Sequence, residues 1–139
     1  TVSLRYFNVY GPRQHTKGNY APVLGIFTRQ RDNKTPHTIV GDGSQTRDFV
    51  HVKDVARVNI LAAEKSEEAG KVYNVGSSVE YSVQQIADMI CPIQTYIDER
   101  TGEVKHSCAS IHSIENALGW KPTIDLKSWL RSESESVKV

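Results

Sequence analysis

Three short stretches of the chain carry polar side chains that a packed core does not require. They are Asn8 behind Tyr6-Phe7, Arg47 within Gln45-Thr46-Arg47-Asp48, and Arg100 within Asp98-Glu99-Arg100-Thr101-Gly102-Glu103. Guanidinium forks match phosphate oxygens in pairs, so two arginines arriving from separate loops suit a diphosphate. Strand ends in α/β folds point into ligand crevices, and Asn8 ends a strand. Each residue also has a plain structural role. Asn8 is a turn former that bonds its own backbone, Arg47 pairs at the surface with Asp48 or Asp42, and residues 98–103 read as a solvated charged loop. His51 alternates within a strand and reads as a packing residue rather than a base. Cys91, at a helix end beside apolar residues, reads as inert packing, and Phe27 lies on an apolar helix face.

Other chemistries are absent from the sequence. Gly41 and Gly43 are followed by Thr46 where a glycine-rich dinucleotide or phosphate loop needs a third glycine, and no H-E-x-x-H or G-x-S-x-G occurs. None of the six tyrosines is followed four residues later by a lysine. With 17 Lys+Arg against 16 Asp+Glu, the net charge of +1 excludes the basic surplus of a nucleic-acid binder. No apolar run reaches the roughly 18 residues of a membrane span, and the first residues lack a signal-peptide pattern. Cys91 and Cys108 form neither a disulfide framework nor a zinc pattern. The expectation is a reducing, cytoplasmic compartment, with no metal, membrane or nucleic acid involved. The chain opens on Thr1 and its only methionine is Met89, so it reads as a piece of something longer.

The elements that must position these residues follow from periodicity. Val2 to Phe7 reads as a buried strand, Asn8 to Pro12 as a turn, and Arg13 to Asn19 as a polar loop. Pro22 stands at a first helical position, ahead of Val23, Ile26, Phe27 and Gln30 on one face. Thr38 to Val40 is a short strand ending at the Gly41-Asp42-Gly43 turn, and Asp48 to Val52 is another. Asp54 caps a helix closed by Gly70, and Val72 to Val75 is a strand. Ser82 and Gln85 form a capping box for a helix with Val83, Ile86, Ala87 and Ile90 inward, which Pro92 ends. Ile111, Ile114, Ala117 and Leu118 give a helix closed by Gly119, and Asp125 caps a last one facing Leu126, Trp129 and Leu130 inward. The polar residues 132–139 read as a fraying tail. The sum is mixed α/β without regular βαβ repetition.

In order and spacing, these segments resemble the C-terminal portion of the extended short-chain dehydrogenase/reductases, in particular the NAD-dependent nucleotide-sugar epimerase/dehydratases of the UDP-glucose 4-epimerase type. The matching stretches are 4–14 (Leu-Arg-Tyr-Phe-Asn-Val-Tyr-Gly-Pro-Arg-Gln), 19–23 (Asn-Tyr-Ala-Pro-Val), 39–52 (Ile-Val-Gly-Asp-Gly through Val-His-Val), 72–76, 99–107 and 118–122. The resemblance implies an α/β fold that is the C-terminal substrate-binding lobe of such an enzyme. One or two strands of the Rossmann sheet are retained and the N-terminal Rossmann core is absent. Residues 1–131 are then the nucleotide-sugar-binding portion and 132–139 a tail.

The same resemblance implies the site. Asn8 reaches the diphosphate of a UDP-sugar, and the Phe7-Asn8-Val9 backbone lies beside the nicotinamide of NAD. Arg47 and Arg100 clamp the diphosphate. Pro22, Val23 and Phe27 line the nucleotide end, and backbone near Thr38 to Val40 holds the base. Ser107 faces the sugar, and its small side chain leaves room at C2 for an N-acetylhexosamine as well as for glucose or galactose. In the parent reaction NAD oxidises the C4 hydroxyl to a 4-keto intermediate, and a tyrosine paired with a lysine removes the proton. That pair and the glycine-rich loop lie outside these residues, so no catalytic residue is assigned here.

The sequence leaves other readings open: a 4,6-dehydratase or decarboxylase part, a non-catalytic nucleotide-sugar-binding remnant, or half of a pair completed by a separate Rossmann-domain chain. Val2 to Phe7 would be an edge strand lacking its neighbour, and no dimer is expected from these residues. The 139-residue chain alone is expected to be inactive, and an assay of UDP-galactose with the purified chain checks this. Measurable turnover would overturn the reading.

Overall fold

The structure, a computed structural model, describes residues 1–18, 20–65, 69–99 and 101–136, without the side chains of 135 and 136. It divides into two compact units. The first comprises Thr1–Pro12, Asp48–Glu80 and Cys108–Leu126, and the second Arg13–Arg47, Tyr81–Ser107 and Lys127–Val139. Every strand pair with a resolved register is parallel. Parallel partners cannot be joined by a tight hairpin, so long connections carrying helices separate them.

In the first unit, β1 (Ser3–Tyr6) pairs with β5 (Val72–Val75), setting Leu4 against Tyr73. β2 (Asn8–Tyr10) pairs with β4 (Thr46–His51), setting Val9 against Val50. A third short strand, β6 (Glu80–Ser82), completes the order β2-β4-β6, and the division between the units falls within β4 and β6. Helix α2 (Val52–Lys65) turns Val55, Val58 and Ala62 inward at spacings of three and four, where they meet Val50, Val75 and Ile114. Ile114 and Leu118 come from α4 (His112–Leu118), which Gly119 ends in the left-handed conformation at φ 66°, as its sequence suggests. Each buried valine, isoleucine or leucine here contributes about 1.5–3 kcal/mol of transfer free energy.

In the second unit, α1 (Val23–Asp32) and α3 (Val83–Ile90) cover β3 (His37–Val40), which pairs with β7 (Gln94–Ile97). The capping box at the start of α3 is present in full. Ser82 Oγ accepts from the Gln85 amide at 3.0 Å, and Gln85 Oε1 accepts from the Ser82 amide at 2.8 Å. Helix α5 (Leu126–Ser136) closes the chain with Leu126 and Leu130 buried. Among the described residues no helix is long and apolar enough to cross a membrane.

Several local expectations are corrected. Asn8 to Tyr10 is a strand rather than a turn, because its ladder to β4 outweighs the turn tendency of Asn8. β1 is not buried: Leu4 alone is half-covered, since among the described residues the strand is laddered only to β5. Val52 begins α2 instead of ending β4, and Pro22 is the N-cap of α1 rather than its first residue. Helix α2 is described as far as Lys65; the expected stop at Gly70 follows residues 66–68, which lie outside the described residues, and Gly70 itself stands at φ 83° just before β5. α5 continues to Ser136, into the stretch read as frayed; the Ser132 and Ser134 hydroxyls bond back to the carbonyls of Trp129 and Leu130. β6 and β7 carry no alternating apolar signature, β7 being an exposed edge strand, and sequence reading missed both.

Asp54 is the most informative departure. Two residues inside α2 it cannot cap the helix start, and it is 1% exposed. Its Oδ2 accepts from the amides of Thr123 and Ile124 at 2.9 and 3.0 Å, and its Oδ1 from the Thr123 hydroxyl at 2.7 Å and Arg57 at 2.8 Å. The Asp54 carbonyl receives the Trp120 indole N–H at 3.1 Å, and Arg57 also donates to the Lys121 carbonyl. Replacing Asp54 by alanine takes the carboxylate acceptor from the Thr123 and Ile124 amides, the Thr123 hydroxyl and Arg57. We expect Asp54→Ala to cost about 3 kcal/mol, read as a lower urea midpoint at unchanged slope.

Candidate functional site

In the second unit, a cavity of about 240 Å³ opens between Val40 and Gln45 on one side and Glu99 with the segment from Thr101 to Lys105 on the other. Its charged groups are paired. Arg47, half-buried, donates to the Thr46 carbonyl at 2.7 Å and to Glu103 Oε1 at 3.3 Å, and Lys105 meets Glu99 at 3.3 Å. The expected partners of Arg47, Asp48 and Asp42, are thus replaced by a glutamate 56 positions away. Asp42 instead turns onto the Ser44 amide at 2.8 Å, and hydrogen bonds from Ser44 hold its carboxyl below the ordinary carboxylate value. The Thr46 amide donates to the Lys105 carbonyl at 2.8 Å, and the Thr46 hydroxyl lies 3.0 Å from Nδ1 of His106. These contacts fasten Glu103, Lys105 and His106 along the start of β4, and Ser107, which follows, is half-buried. The described residues of the loop from Asp98 to Glu103 are exposed, as a solvated charged run requires, and Glu103 also pairs with Arg47; Arg100 itself lies outside the described residues.

The wall proposed for a nucleotide is partly occupied by the protein's own groups. In β3, the His37 and Gly41 amides point toward β7, donating to the Ile93 and Ile97 carbonyls at 2.9 and 2.8 Å. Thr38 and Val40 therefore face the other way. There, Gln30 Oε1 accepts from the Thr38 amide at 3.2 Å and its Nε2 donates to the Thr38 hydroxyl at 3.0 Å, while Gln45 Nε2 donates to the Val40 carbonyl at 3.0 Å. Two glutamine side chains thus stand in for a neighbouring strand. Neither was singled out from sequence; the one signal was a glutamine on the inward face of α1. Pro22, Val23, Thr38 and Val40 are half-buried, whereas Phe27 is fully buried, so Phe27 can only support this wall from behind.

Phe27 stacks flat on His37, with ring centroids 4.5 Å apart at an interplanar angle of 0°. His37 is 0% exposed, and neither ring nitrogen has a hydrogen-bond partner of ordinary geometry. Burial lowers its pKa below the ordinary 6.5; the Arg31 charge adds to this, and main-chain groups of Phe27 and Ala87 oppose it.

In the first unit, Phe7, Asn8 and Val9 are half-buried, and Phe7 and Val9 lie against the core. Asn8 Nδ2 donates to the Asp48 carbonyl at 2.7 Å, a partner across the sheet rather than within its own turn. His51 is buried, meets Tyr10 edge-on at 5.1 Å and accepts the Lys53 amide at 3.1 Å, which agrees with a packing role. Cys91 and Cys108 are both free thiols, and desolvation, then Asp48 and Glu80, push the Cys108 thiol up.

A family model described as NAD dependent epimerase/dehydratase family matches residues 1–76. A protein of Methanocaldococcus jannaschii provisionally named a UDP-glucose 4-epimerase is 42% identical over 135 residues, covering 92% of this chain and 42% of the relative. The UDP-N-acetylglucosamine 4-epimerase of Methanobrevibacter ruminantium, solved with UDP-N-acetylmuramic acid, superposes with a TM-score of 0.85 at 38% identity over 94% of this chain and 43% of its own. The UDP-glucuronic acid 4-epimerase of Bacillus cereus, solved with UDP-glucuronic acid and NAD, gives 0.85 at 32% identity over 99% of this chain and 45% of its own. The chain thus spans about two fifths of the length of the proteins it matches.

The unpartnered His37 gives a pH dependence with a definite sign. Above about pH 6.5 the ring is neutral in folded and unfolded chains alike. Below it the unfolded chain takes up a proton that the folded chain resists, so stability is lost as pH falls toward the depressed folded value. We expect the urea midpoint of the wild type to fall more between about pH 7 and about pH 5 than that of His37→Leu. Equal falls would count against the assignment.

Proposed function

The chain belongs to the NAD dependent epimerase/dehydratase family, and within it we propose that residues 1–131 form the C-terminal, nucleotide-sugar-binding portion of a UDP-sugar 4-epimerase, with 132–139 as a tail. The observation that carries this is Arg47: a half-buried guanidinium oriented by the Thr46 carbonyl and paired with a carboxylate that lines a cavity of about 240 Å³. A fixed planar cation beside a cavity suits the diphosphate of a nucleotide sugar.

On this reading Arg47 and Arg100 clamp the diphosphate and Asn8 donates to it. Pro22 and Val23 line the nucleotide end with Phe27 behind them. Backbone from Thr38 to Val40 meets the base after Gln30 and Gln45 give up their bonds to it. Ser107 faces the sugar, and its small side chain admits an N-acetyl group at C2 beside the plain glucose and galactose forms. The solved relatives named above carry UDP-sugars in both classes, one N-acetylated and one not.

NAD, when bound, supplies the hydride acceptor and donor at C4. The described residues do not by themselves fit a dinucleotide. Helices α1 and α3 open behind Pro22 and Ser82, and α2 follows His51, so none begins on the glycine turn that admits a pyrophosphate. The contact proposed for NAD is confined to the Phe7-Asn8-Val9 backbone, and the chain's own work is to bind and orient the sugar nucleotide. A 4,6-dehydratase reading shares all of these contacts, and the family description covers both classes.

Titration calorimetry with UDP tests the binding reading. Wild-type chain gives a saturable heat, and Arg47→Ala weakens UDP by at least about tenfold while changing uridine little, as expected for the loss of a charge-assisted phosphate contact. Absence of any UDP heat in the wild type would overturn it.

A further inference from the structure

We infer that Asp48 is a positioning residue for Asn8: its carboxylate fixes the stretch of β4 whose carbonyl orients the Asn8 amide. The inference rests on the reading of Asn8 as a ligand contact and adds the residue that makes that contact possible. Asp48 is 0% exposed, and among the described residues no lysine, arginine or histidine pairs with it. Its oxygens are met by amide and hydroxyl groups. Oδ1 takes the Ser77 amide and hydroxyl, each at 2.7 Å, and Oδ2 takes the amides of Ser78 and Ala109 at 2.9 and 3.0 Å.

The cradle is built for close approach. Ser78 sits at φ 58°, which aims successive amides at one point. A Cβ on Gly76 would stand 2.4 Å from Ala109 Cβ and 2.8 Å from Asp48 Oδ2, so only glycine lets the turn close on the carboxylate. The Ser78 hydroxyl, bonded to the Ala109 carbonyl at 2.8 Å, ties the two donor segments together.

The consequence falls on Asn8. An asparagine amide can turn end for end, and its hydrogen-bond partner decides which end is nitrogen. Here the partner is a carbonyl, which only accepts, so the bonded atom is Nδ2. One N–H is spent on Asp48, and the second N–H and Oδ1 keep a fixed direction for a ligand. Were β4 free to shift at residue 48, the carbonyl would move and the amide would lose its reference. An Asp48→Asn variant keeps the shape but turns an NH₂ group toward amide donors that need an acceptor.

A double-mutant cycle read by UDP and uridine affinity tests this. Asp48→Asn and Asn8→Ala are each expected to weaken UDP by about tenfold, a loss of roughly 1.4 kcal/mol, with uridine affinity unchanged and the double variant no worse than Asn8→Ala alone. Ser77→Ala, which removes one donor and keeps the carboxylate, gives a smaller loss with the same non-additivity and serves if Asp48→Asn does not fold. Additive losses, or uridine falling together with UDP, overturn the inference. A ligand-free arm separates it from the functional reading. The side-chain amide resonances of Asn8 shift in Asp48→Asn or Ser77→Ala whether or not UDP binds. Unmoved resonances overturn the relay; shifted resonances in a chain without UDP affinity overturn the functional reading alone.

Discussion

A carboxylate removed from water must find donors for both oxygens, and the first unit is organised by two that do. Asp48 and Asp54 lie six positions apart, on either side of the junction between β4 and α2. Asp48 gathers the turn after β5 and the segment at Ala109, while Asp54 gathers Arg57 and the segment from Thr123 to Ile124. Neither set of donors is local in sequence except Arg57. A strand-to-helix junction only a few residues long thereby collects distant stretches whose own hydrophobic content is small. Apolar contacts among Val50, Val58, Val75 and Ile114 provide the bulk of the burial, but they are non-directional. The carboxylates supply the direction.

What was legible in the sequence follows from how local each cause is. The capping box at Ser82 and Gln85 and the glycine stop at Gly119 are decided within four residues, and both stand as read. The inward faces of α3 and α4 follow from the helical period, except that Ala117, read as part of the apolar face of α4, is exposed. By contrast, Asn8 to Tyr10 is a strand because β4 lies beside it, and β7 is a strand because β3 does; neither partner is visible from the stretch itself. Asp54 has the residue type and place of a cap, and nothing nearby reveals that its donors wait beyond position 120. The order of motifs identified the family, which shows how a pattern spread over most of a chain can carry what no single motif does.

The candidate site shows the same division. Arg47 stands out in the sequence by its place after the glycine turn; that Glu103 holds it is not legible there, since 56 positions separate them. The cavity has no unpaired cation among its described lining, because Lys105 is matched by Glu99 and Arg47 beside it by Glu103. An incoming anion therefore exchanges one set of partners for another instead of filling a bare positive hole. On the proposed reading such a site gains less from charge attraction alone and more from geometry, because the diphosphate has to offer the guanidinium a better fit than a single glutamate oxygen does.

The two glutamines along β3 have a consequence beyond ligand binding. A strand edge with open amides and carbonyls is a template on which another chain can pair. On β3 the outward amide of Thr38 and the outward carbonyl of Val40 are already taken by Gln30 and Gln45. Pairing there would first have to strip both away. β1 has no such cover among the described residues, and Tyr6 at its end is 45% exposed. On β3, then, the chain's own side chains shield one amide and one carbonyl from pairing with another chain, a cover that the described residues do not give β1.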